Sequence, residues 1–177
     1  TLTVDDIVWR DSTSTDTLVL GLDKFAFDVY LRNDTIYNSL SWNDLSNIDH
    51  NKALIKGCCV PNDLGASFWV HTADLTINDS LWSLDQNNHI DVIEDRIEIS
   101  NLEFSHNQQK LRVDGMVPKH DGDTISVNFN KFDISNFDLI FRTLGFDADG
   151  FITGDAWMGC ENEKPLTDAQ IVLNDLK

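Results

Sequence analysis

The stretch Arg96–Phe104 reads R-I-E-I-S-N-L-E-F and carries the pattern that decides the fold. Ile97 and Ile99 alternate with polar residues, as does the apolar pair that follows, and a period of two predicts a β-strand. The polar doublet Ser100-Asn101 separates the two pairs and lengthens one apolar step to three residues. A β-bulge at the doublet would keep both pairs on one face, whereas an unbroken strand would turn the second pair away.

The same spacing of two, three and two recurs along the chain. It occurs in Leu2, Val4, Ile7 and Trp9, in Leu20, Leu22, Phe25 and Phe27, in Ile97, Ile99, Leu102 and Phe104, and in Val127, Phe129, Phe132 and Ile134. We interpret each unit as a bent strand with one continuous apolar face. The alternative is a strand that changes its buried face between two packed sheets.

Period-two alternation continues outside these units. It predicts further strands at 35–42, 52–60, 66–77, 109–117, 146–158 and 169–176, with turns at sequences such as Asn33-Asp34 and Lys164-Pro165. We therefore predict an all-β fold, a curved and mostly antiparallel sheet folded into a β-taco-like trough, with a β-sandwich as the alternative. The pattern describes one segment, 1–177, and allows two similar sub-repeats at about 1–85 and 86–177.

One segment has helical spacing instead. Ser135 is placed to cap a helix over 136–144, and Gly145 is placed to end it. Phe137, Ile140 and Phe141 would then lie on one helix face. We expect this short helix to plug the edge or the open end of the sheet.

Composition and charge limit the function. The chain has 177 residues, 41% of them hydrophobic, which suits a folded domain. Thirty acidic residues against 13 basic ones give a net charge of −17, which repels nucleic-acid phosphates, so we expect no nucleic-acid partner. No uninterrupted apolar run approaches a length of about 18 residues, which a helix needs to span a bilayer. We expect a fragment of a longer protein, with any anchor outside it.

The side chains that could carry chemistry form no recognisable site. The five histidines are scattered, so we predict no metal site and no cofactor. Asp149-Gly150 fits a turn better than a calcium loop, because Gly145 and Ala156 stand where the loop needs acids. No nucleophile motif or phosphate loop is present, and we predict no enzymatic activity.

The cysteines and tryptophans allow more than one interpretation. Cys58 and Cys59 are neighbours and point to opposite faces of a strand, which argues against a disulfide framework, although a bridge to Cys160 stays open. Trp9 and Trp42 occupy the same alternate positions as the other apolar residues of their strands, which favours a place in the lining of a groove. The candidates for an exposed stacking platform are Trp69 and Trp157.

From about Asn88 onward, the chain resembles a known family. Its phrases are I-S-N-L at 99–102, V-D-G at 113–115, F-D-I-S-N-F at 132–137 and G-F-I-T-G-D-A at 150–156. This order is similar to the repeating strands of TamB-type translocation and assembly proteins, which are AsmA-like members of the bridge-like lipid transfer superfamily. The resemblance covers about half of the chain.

The resemblance implies a non-catalytic segment of a periplasmic protein whose parent chain is anchored in the inner membrane. It implies phospholipid acyl chains as ligands, transfer of lipid between the inner and outer membranes, and an outer-membrane β-barrel assembly partner that binds other parts of the parent chain. Unpaired sheet edges would also allow two copies of a fragment to dimerise.

The residues that we expect to line a lipid groove are the apolar ones in the second half of the chain. They are Ile97, Ile99, Leu102, Phe104, Leu111, Val113, Val127, Phe129, Phe132 and Ile134. Two other functions stay open: an extracellular β-sandwich module that binds glycans or proteins, and a structural spacer that carries nothing.

Overall fold

The computed structural model describes residues 1–10, 19–44, 51–137, 149–162 and 164–175. These residues form twelve strands and one 3-10 turn. The strands are β1 Leu2–Arg10, β2 Val19–Arg32, β3 Thr35–Asp44, β4 Lys52–Asn62, β5 Gly65–Ile77, β6 Ser80–Leu84, β7 His89–Ile93, β8 Arg96–His106, β9 Gln109–Met116, β10 Thr124–Asp133, β11 Phe151–Glu161 and β12 Lys164–Asn174, and the 3-10 turn is Ile134–Phe137.

All twelve strands belong to one antiparallel sheet, which confirms the predicted all-β, curved sheet. Neighbours in the sequence are neighbours in the sheet, except that β6 and β7 lie end to end in one position between β5 and β8. The strands with extensive contacts are all hydrogen-bonded neighbours. The described residues thus form one layer with edges at β1 and β12, and not the two packed layers of the sandwich alternative.

Tight turns account for the regular order of the strands. Asn33-Asp34 and Asn78-Asp79 join their strands with two residues of positive φ each, the geometry that matches the twist of a hairpin. The turn predicted at Asn33-Asp34 is confirmed. The turn predicted at Lys164-Pro165 is wrong, because both residues belong to β12. Proline is tolerated there because β12 is an edge strand.

The bulges predicted at polar doublets occur in three of the four units. The register shifts between Asp23 and Ala26, between Ile99 and Leu102, and between Phe129 and Phe132. In each case the second residue of the doublet, namely Lys24, Asn101 or Lys131, has a φ between 45° and 57°. The register of β1 with β2 shows no shift at the fourth doublet, Asp5-Asp6, and the side chains of residues 6–10 lie outside the described residues.

Irregularities in four neighbouring strands lie side by side and form a crease across the sheet. β5 carries an extra residue at His71, the β6–β7 position is interrupted at 85–88, and β8 bulges at Asn101. Side chains satisfy the backbone groups that the crease leaves unpaired. The Asn88 amide accepts from Val70 N–H at 3.0 Å and donates to Val70 C=O at 2.9 Å. The next strand, β9, supplies the carboxylate of Asp114, which accepts from Asn101 N–H at 3.2 Å.

The helix predicted over 136–144 falls mostly on residues 138–148, which lie outside the described residues, so it stays a prediction. A 3-10 turn precedes them at Ile134–Phe137. At the start of this turn, the Asp133 carboxylate accepts from Ser135 N–H at 2.9 Å. The chain therefore turns directly from β10, which ends at Asp133.

Candidate functional site: one apolar face of the curved sheet

The cross-strand pairs show which side chains share a face. Leu102 lies opposite Val113, which lies opposite Val127, and directly paired residues point to the same side of a sheet. Phe104, Leu111 and Phe129 form the next row. Nine of the ten residues predicted to line a groove therefore lie on one face, called here the apolar face: Ile97, Ile99, Leu102, Phe104, Leu111, Val113, Val127, Phe129 and Phe132. Their role in binding stays a prediction.

The bulges are what keep this face continuous. Ile99 pairs with Gly115 and Leu102 pairs with Val113, and those two partners are two residues apart on β9 and share a face. Gly115 has a φ of 115°, and a Cβ there would lie 2.4 Å from the carbonyl oxygen of Thr124. Only glycine fits this position beside the bulge.

The apolar face extends beyond the predicted residues to both sides. Its further members, from the registers of β3, β4, β5, β11 and β12, are Leu40, Trp42, Ala53, Ile55, Phe68, Leu75, Ile152, Ala156, Met158, Ile171 and Leu173. Trp42 thus lies where its parity predicted, while the side chain of Trp9 is outside the described residues.

One end of the apolar face is packed shut, and we call it the capped end. The Trp82 ring on β6 lies 5.4 Å from the Phe132 ring on β10, although two strands separate them. On a flat sheet β6 and β10 would be about 14 Å apart, so the sheet curls toward this face. Ile134, the tenth predicted lining residue, begins the 3-10 turn and is 4% exposed.

The 3-10 turn closes the capped end by crossing toward β5. The Asn78 amide in the β5–β6 turn donates to Ser135 C=O at 3.0 Å. The Gln109 side-chain carbonyl accepts from Asp133 N–H at 2.9 Å. These bonds hold the turn across the strand ends.

The rest of the apolar face is partly open to solvent. Phe27, Phe68, Ile97 and Met158 are between 37% and 44% exposed, which is unusual for large apolar side chains that share one surface. A cavity of about 340 Å³ lies on β10, β11 and β12. Its lining is mostly apolar and comprises Ile125, Val127, Ala156, Trp157, Met158, Thr167, Asp168 and Ala169.

The opposite face is polar over β8 to β12. Glu103, Arg112, Asn128, Asp155 and Gln170 form one row across five strands. Ion pairs and hydrogen bonds along it include Lys110 to Glu103 at 2.7 Å and Asn128 to Asp155 at 2.7 Å. A hydrogen bond from Arg112 lowers the pKa of Asp114. The sheet is therefore amphipathic over β8 to β12, with one polar face and one apolar face.

The end opposite the cap carries a charged network. The buried carboxylate of Asp123 accepts from the backbone N–H of His120 at 2.7 Å, which lowers the pKa of Asp123, and it lies 3.9 Å from Arg96. Lys119 and His120 both lie 2.9 Å from Asp95. These contacts fix the β9–β10 loop against β8 and the β7–β8 turn, and the basic groups already have acidic partners.

The cysteines offer little chemistry. Cys58 and Cys59 are free and buried, and Cys59 lies on the apolar face while Cys58 lies on the other, as predicted for neighbours in a strand. Cys58 Sγ is 3.2 Å from His71 Nε2, but burial raises the pKa of Cys58 and disfavours the reactive thiolate. Among the described residues, no group of three or more His, Cys, Asp or Glu side chains could hold a metal ion.

Two residues at this site were not singled out by sequence reasoning. Trp82 is 2% exposed and Asn88 is 1% exposed, and both lie in the stretch 80–93 where no strand was predicted. The alternation of Trp82 and Leu84 with Ser83 and Asp85 is a usable but short signal of a strand. Of the two platform candidates, Trp157 is 39% exposed and Trp69 is half-buried, and both lie opposite the apolar face.

No family model, curated protein or solved structure matches the chain. Within the described residues, no helix has the length and apolar character that crossing a membrane requires. The features that bear on function are therefore the geometry of the two faces and the strand phrases at 99–102, 113–115, 132–137 and 150–156.

Proposed function

We propose that this chain is a non-catalytic segment of a periplasm-spanning protein that conducts lipid between the inner and outer membranes and supports outer-membrane assembly. The observation that carries the proposal is the curved apolar face, which in the described strands is packed shut at the capped end and partly open to solvent beyond it. Acyl chains of phospholipids are the ligand that such a surface fits, because it offers contact area without charges.

The energetics favour an acyl chain on this surface. Each methylene moved from water to an apolar site contributes about 0.8 kcal/mol. The cavity of about 340 Å³ on β10 to β12 is at the small end of ligand pockets, which range from about 300 to 1,000 Å³. It accommodates part of one chain, and the open strands beside it would hold the rest.

The charge of the polar face also supports the proposal. Its carboxylates contribute to the net charge of −17 and keep an amphipathic sheet in solution. They also repel anionic headgroups, so a lipid would lie with its chains on the apolar face and its headgroup at an edge of the trough. Contact with an outer-membrane β-barrel protein is assigned to other parts of the parent chain, on the resemblance alone.

Photo-crosslinking at neighbouring positions tests the proposal. A photoreactive side chain at Val127 faces the apolar side, and the same side chain at Ser126 faces the polar side of the same strand. We expect labelled phospholipid from vesicles to crosslink at Val127 and at Phe129, and to crosslink weakly at Ser126. Equal labelling at the two faces would contradict a lipid groove.

A pair of charge substitutions extends this test to transfer. Val127→Asp places a carboxylate on the apolar face and should reduce lipid transfer between vesicles, whereas Ser126→Asp adds the same charge to the polar face and should not. Circular dichroism of both variants checks that the sheet is intact. Unchanged transfer by a folded Val127→Asp variant would count against a conduit.

The exposed Trp157 supports one second candidate, a glycan- or protein-binding module. Its indole lies on the polar face between Ser126 and Asp168, where a sugar could stack on the ring and bond to the carboxylate. Saturable binding of an oligosaccharide that is lost in Trp157→Ala, with Trp42→Phe as the control on the apolar face, would favour this function over lipid transfer.

A further inference from the structure

β11 carries two exposed aromatic side chains on the polar face. Phe151 and Trp157 are 37% and 39% exposed. Thr153 and Asp155 are the alternate residues between them, so all four side chains point to the same side of the strand, and the two rings lie about 20 Å apart. We call this row the β11 strip. β11 is an interior strand, paired with β10 on one side and with β12 on the other, so the strip does not depend on an open edge.

Polar groups occupy the surface between the two rings. The exposed carboxylate of Asp155 accepts from the Asn128 side-chain amide at 2.7 Å and lies opposite Gln170 on β12. Thr153 Oγ1 accepts from the backbone N–H of Lys131 at 3.1 Å. The strip therefore has an aromatic ring at each end and carboxylate, amide and hydroxyl groups in its centre.

A cavity of about 640 Å³ adjoins the Phe151 end of the strip. Phe151 and Thr153 line it, together with Lys131 of β10 and Gln108 of the β8–β9 turn. The Lys131 ammonium donates to the Gln108 side-chain carbonyl at 2.7 Å, which holds both side chains in place. The volume is within the range of about 300 to 1,000 Å³ that ligand pockets have, and the lining combines an aromatic ring with hydrogen-bonding groups.

We propose that the β11 strip binds a linear, neutral oligosaccharide along the strand, with one sugar on Trp157, another on Phe151 and the end of the chain in the cavity. A pyranose ring has an apolar C–H face that packs on an aromatic ring, and its hydroxyl groups both donate and accept hydrogen bonds. Those hydroxyls complement the carboxylate of Asp155 and the amide of Gln170. The net charge of −17 repels an anionic chain and so favours a neutral one.

The order of groups along the strip favours a glycan over a protein partner. Protein interfaces have an apolar centre and a polar rim, whereas the strip has a polar centre and its rings at the two ends. A purely apolar ligand would remove water from the Asp155 carboxylate without replacing its hydrogen bonds, which is costly. A chain of hydroxyl-bearing rings satisfies both the centre and the ends.

The proposal rests on the second candidate function, because Trp157 belongs to both, and it adds a second aromatic position, a cavity and a class of glycan. It does not depend on the lipid proposal. The strip lies on the face opposite the apolar face, so a lipid and a glycan would not compete for the same surface.

Isothermal titration calorimetry of the full chain with oligosaccharides of two lengths tests the extent of the site. Cellotetraose and chitotetraose are the long probes, and cellobiose is too short to reach both rings. We expect one of the long probes to bind about tenfold more tightly than cellobiose, the gain from one additional ring contact of about 1.4 kcal/mol. Equal affinity for the long and short probes, or no saturable binding of either tetrasaccharide, would overturn the proposal.

Two alanine variants distinguish the strip from a single platform at Trp157. Phe151→Ala and Trp157→Ala should each weaken tetrasaccharide binding about tenfold, to about the affinity of cellobiose. Tyr30→Ala removes an exposed aromatic side chain from β2, far from the strip, and is the matched control that should bind as the parent does. Unfolding midpoints check that all three variants are folded. A loss in Trp157→Ala alone, with Phe151→Ala unchanged, would leave the single platform in place and overturn the strip.

Discussion

The capped end and the β12 edge belong to the same apolar face but differ in how they are covered. Trp82 and Phe132 at the capped end are 2% and 4% exposed, whereas Ile171 and Leu173 on β12 are 41% and 51% exposed. The side chains are similarly hydrophobic, so the difference comes from the 3-10 turn and the curl of the central strands. Stability is thus concentrated in one part of the face, and accessible apolar surface in the other.

The largest expected effect is at the capped end. Trp82→Ala removes the ring that packs on Phe132 and should destabilise the chain by about 3 to 5 kcal/mol, as large-to-small core substitutions do. Urea unfolding followed by circular dichroism measures the loss. Trp82→Phe is the control and should cost much less, since Trp82 Nε1 is buried without a hydrogen-bond partner. A loss below 1 kcal/mol for the alanine variant would show that the cap is not the stable part.

The second largest effect on stability is expected from a substitution in the crease. Asn88→Ala leaves the N–H and C=O of Val70 without the side chain that pairs with them, at a cost of about 1 to 3 kcal/mol. The neighbouring Asn87 is exposed and bonds only to Asp85 among the contacts seen, so Asn87→Ala is the control. Equal unfolding midpoints for the two variants would mean that water replaces the Asn88 amide at no cost.

The charged network at the end opposite the capped end should make the stability of the chain depend on pH. Because the pKa of Asp123 is lowered in the fold, its carboxylate stabilises the chain above the unfolded pKa of about 3.9, and this contribution is lost as the pH falls through the folded pKa. The Asp123→Asn variant should therefore be less stable than the parent at neutral pH. The difference between their free energies of unfolding should become smaller at acid pH.

Unfolding midpoints measured from neutral pH down to acid pH test this. Asp63→Asn, in an exposed turn, removes the same charge and is the control. If the Asp123→Asn variant kept a constant offset from the parent at all pH values, the carboxylate would not be the group responsible.

The smallest effect is expected at the edge. Leu173→Ala removes a half-exposed side chain on β12, and substitutions of this kind usually change stability by no more than about 0.5 kcal/mol. The same urea titration at low protein concentration measures it. A loss comparable to that of Trp82→Ala would mean that the face is covered over β12 as well, and the distinction between the two regions would fail.

Local sequence patterns predicted much of this fold. The strand of β8 and its bulge follow from the period of two and the doublet Ser100-Asn101, because both signals lie within nine residues. The common face of Ile99 and Leu102 follows for the same reason. These features depend on one strand and its neighbour in the sheet, so a short stretch of sequence is enough to predict them.

The capped end and the crease depend on residues far apart in the chain, and they were missed. Trp82 is buried by Phe132, fifty positions later, and the amide of Asn88 pairs with Val70 across the sheet. The two strands around Asn88 have five residues each, too few to give a clear period.

The left-handed residues Lys24, Asn101 and Lys131 have one further consequence. Each of these bends is made inside a strand, so the curvature of the sheet at β2, β8 and β10 is specified within the strand and not by the connections at its ends. Duplication of a hairpin that contains its own bend would therefore lengthen the curved sheet without changing its curvature.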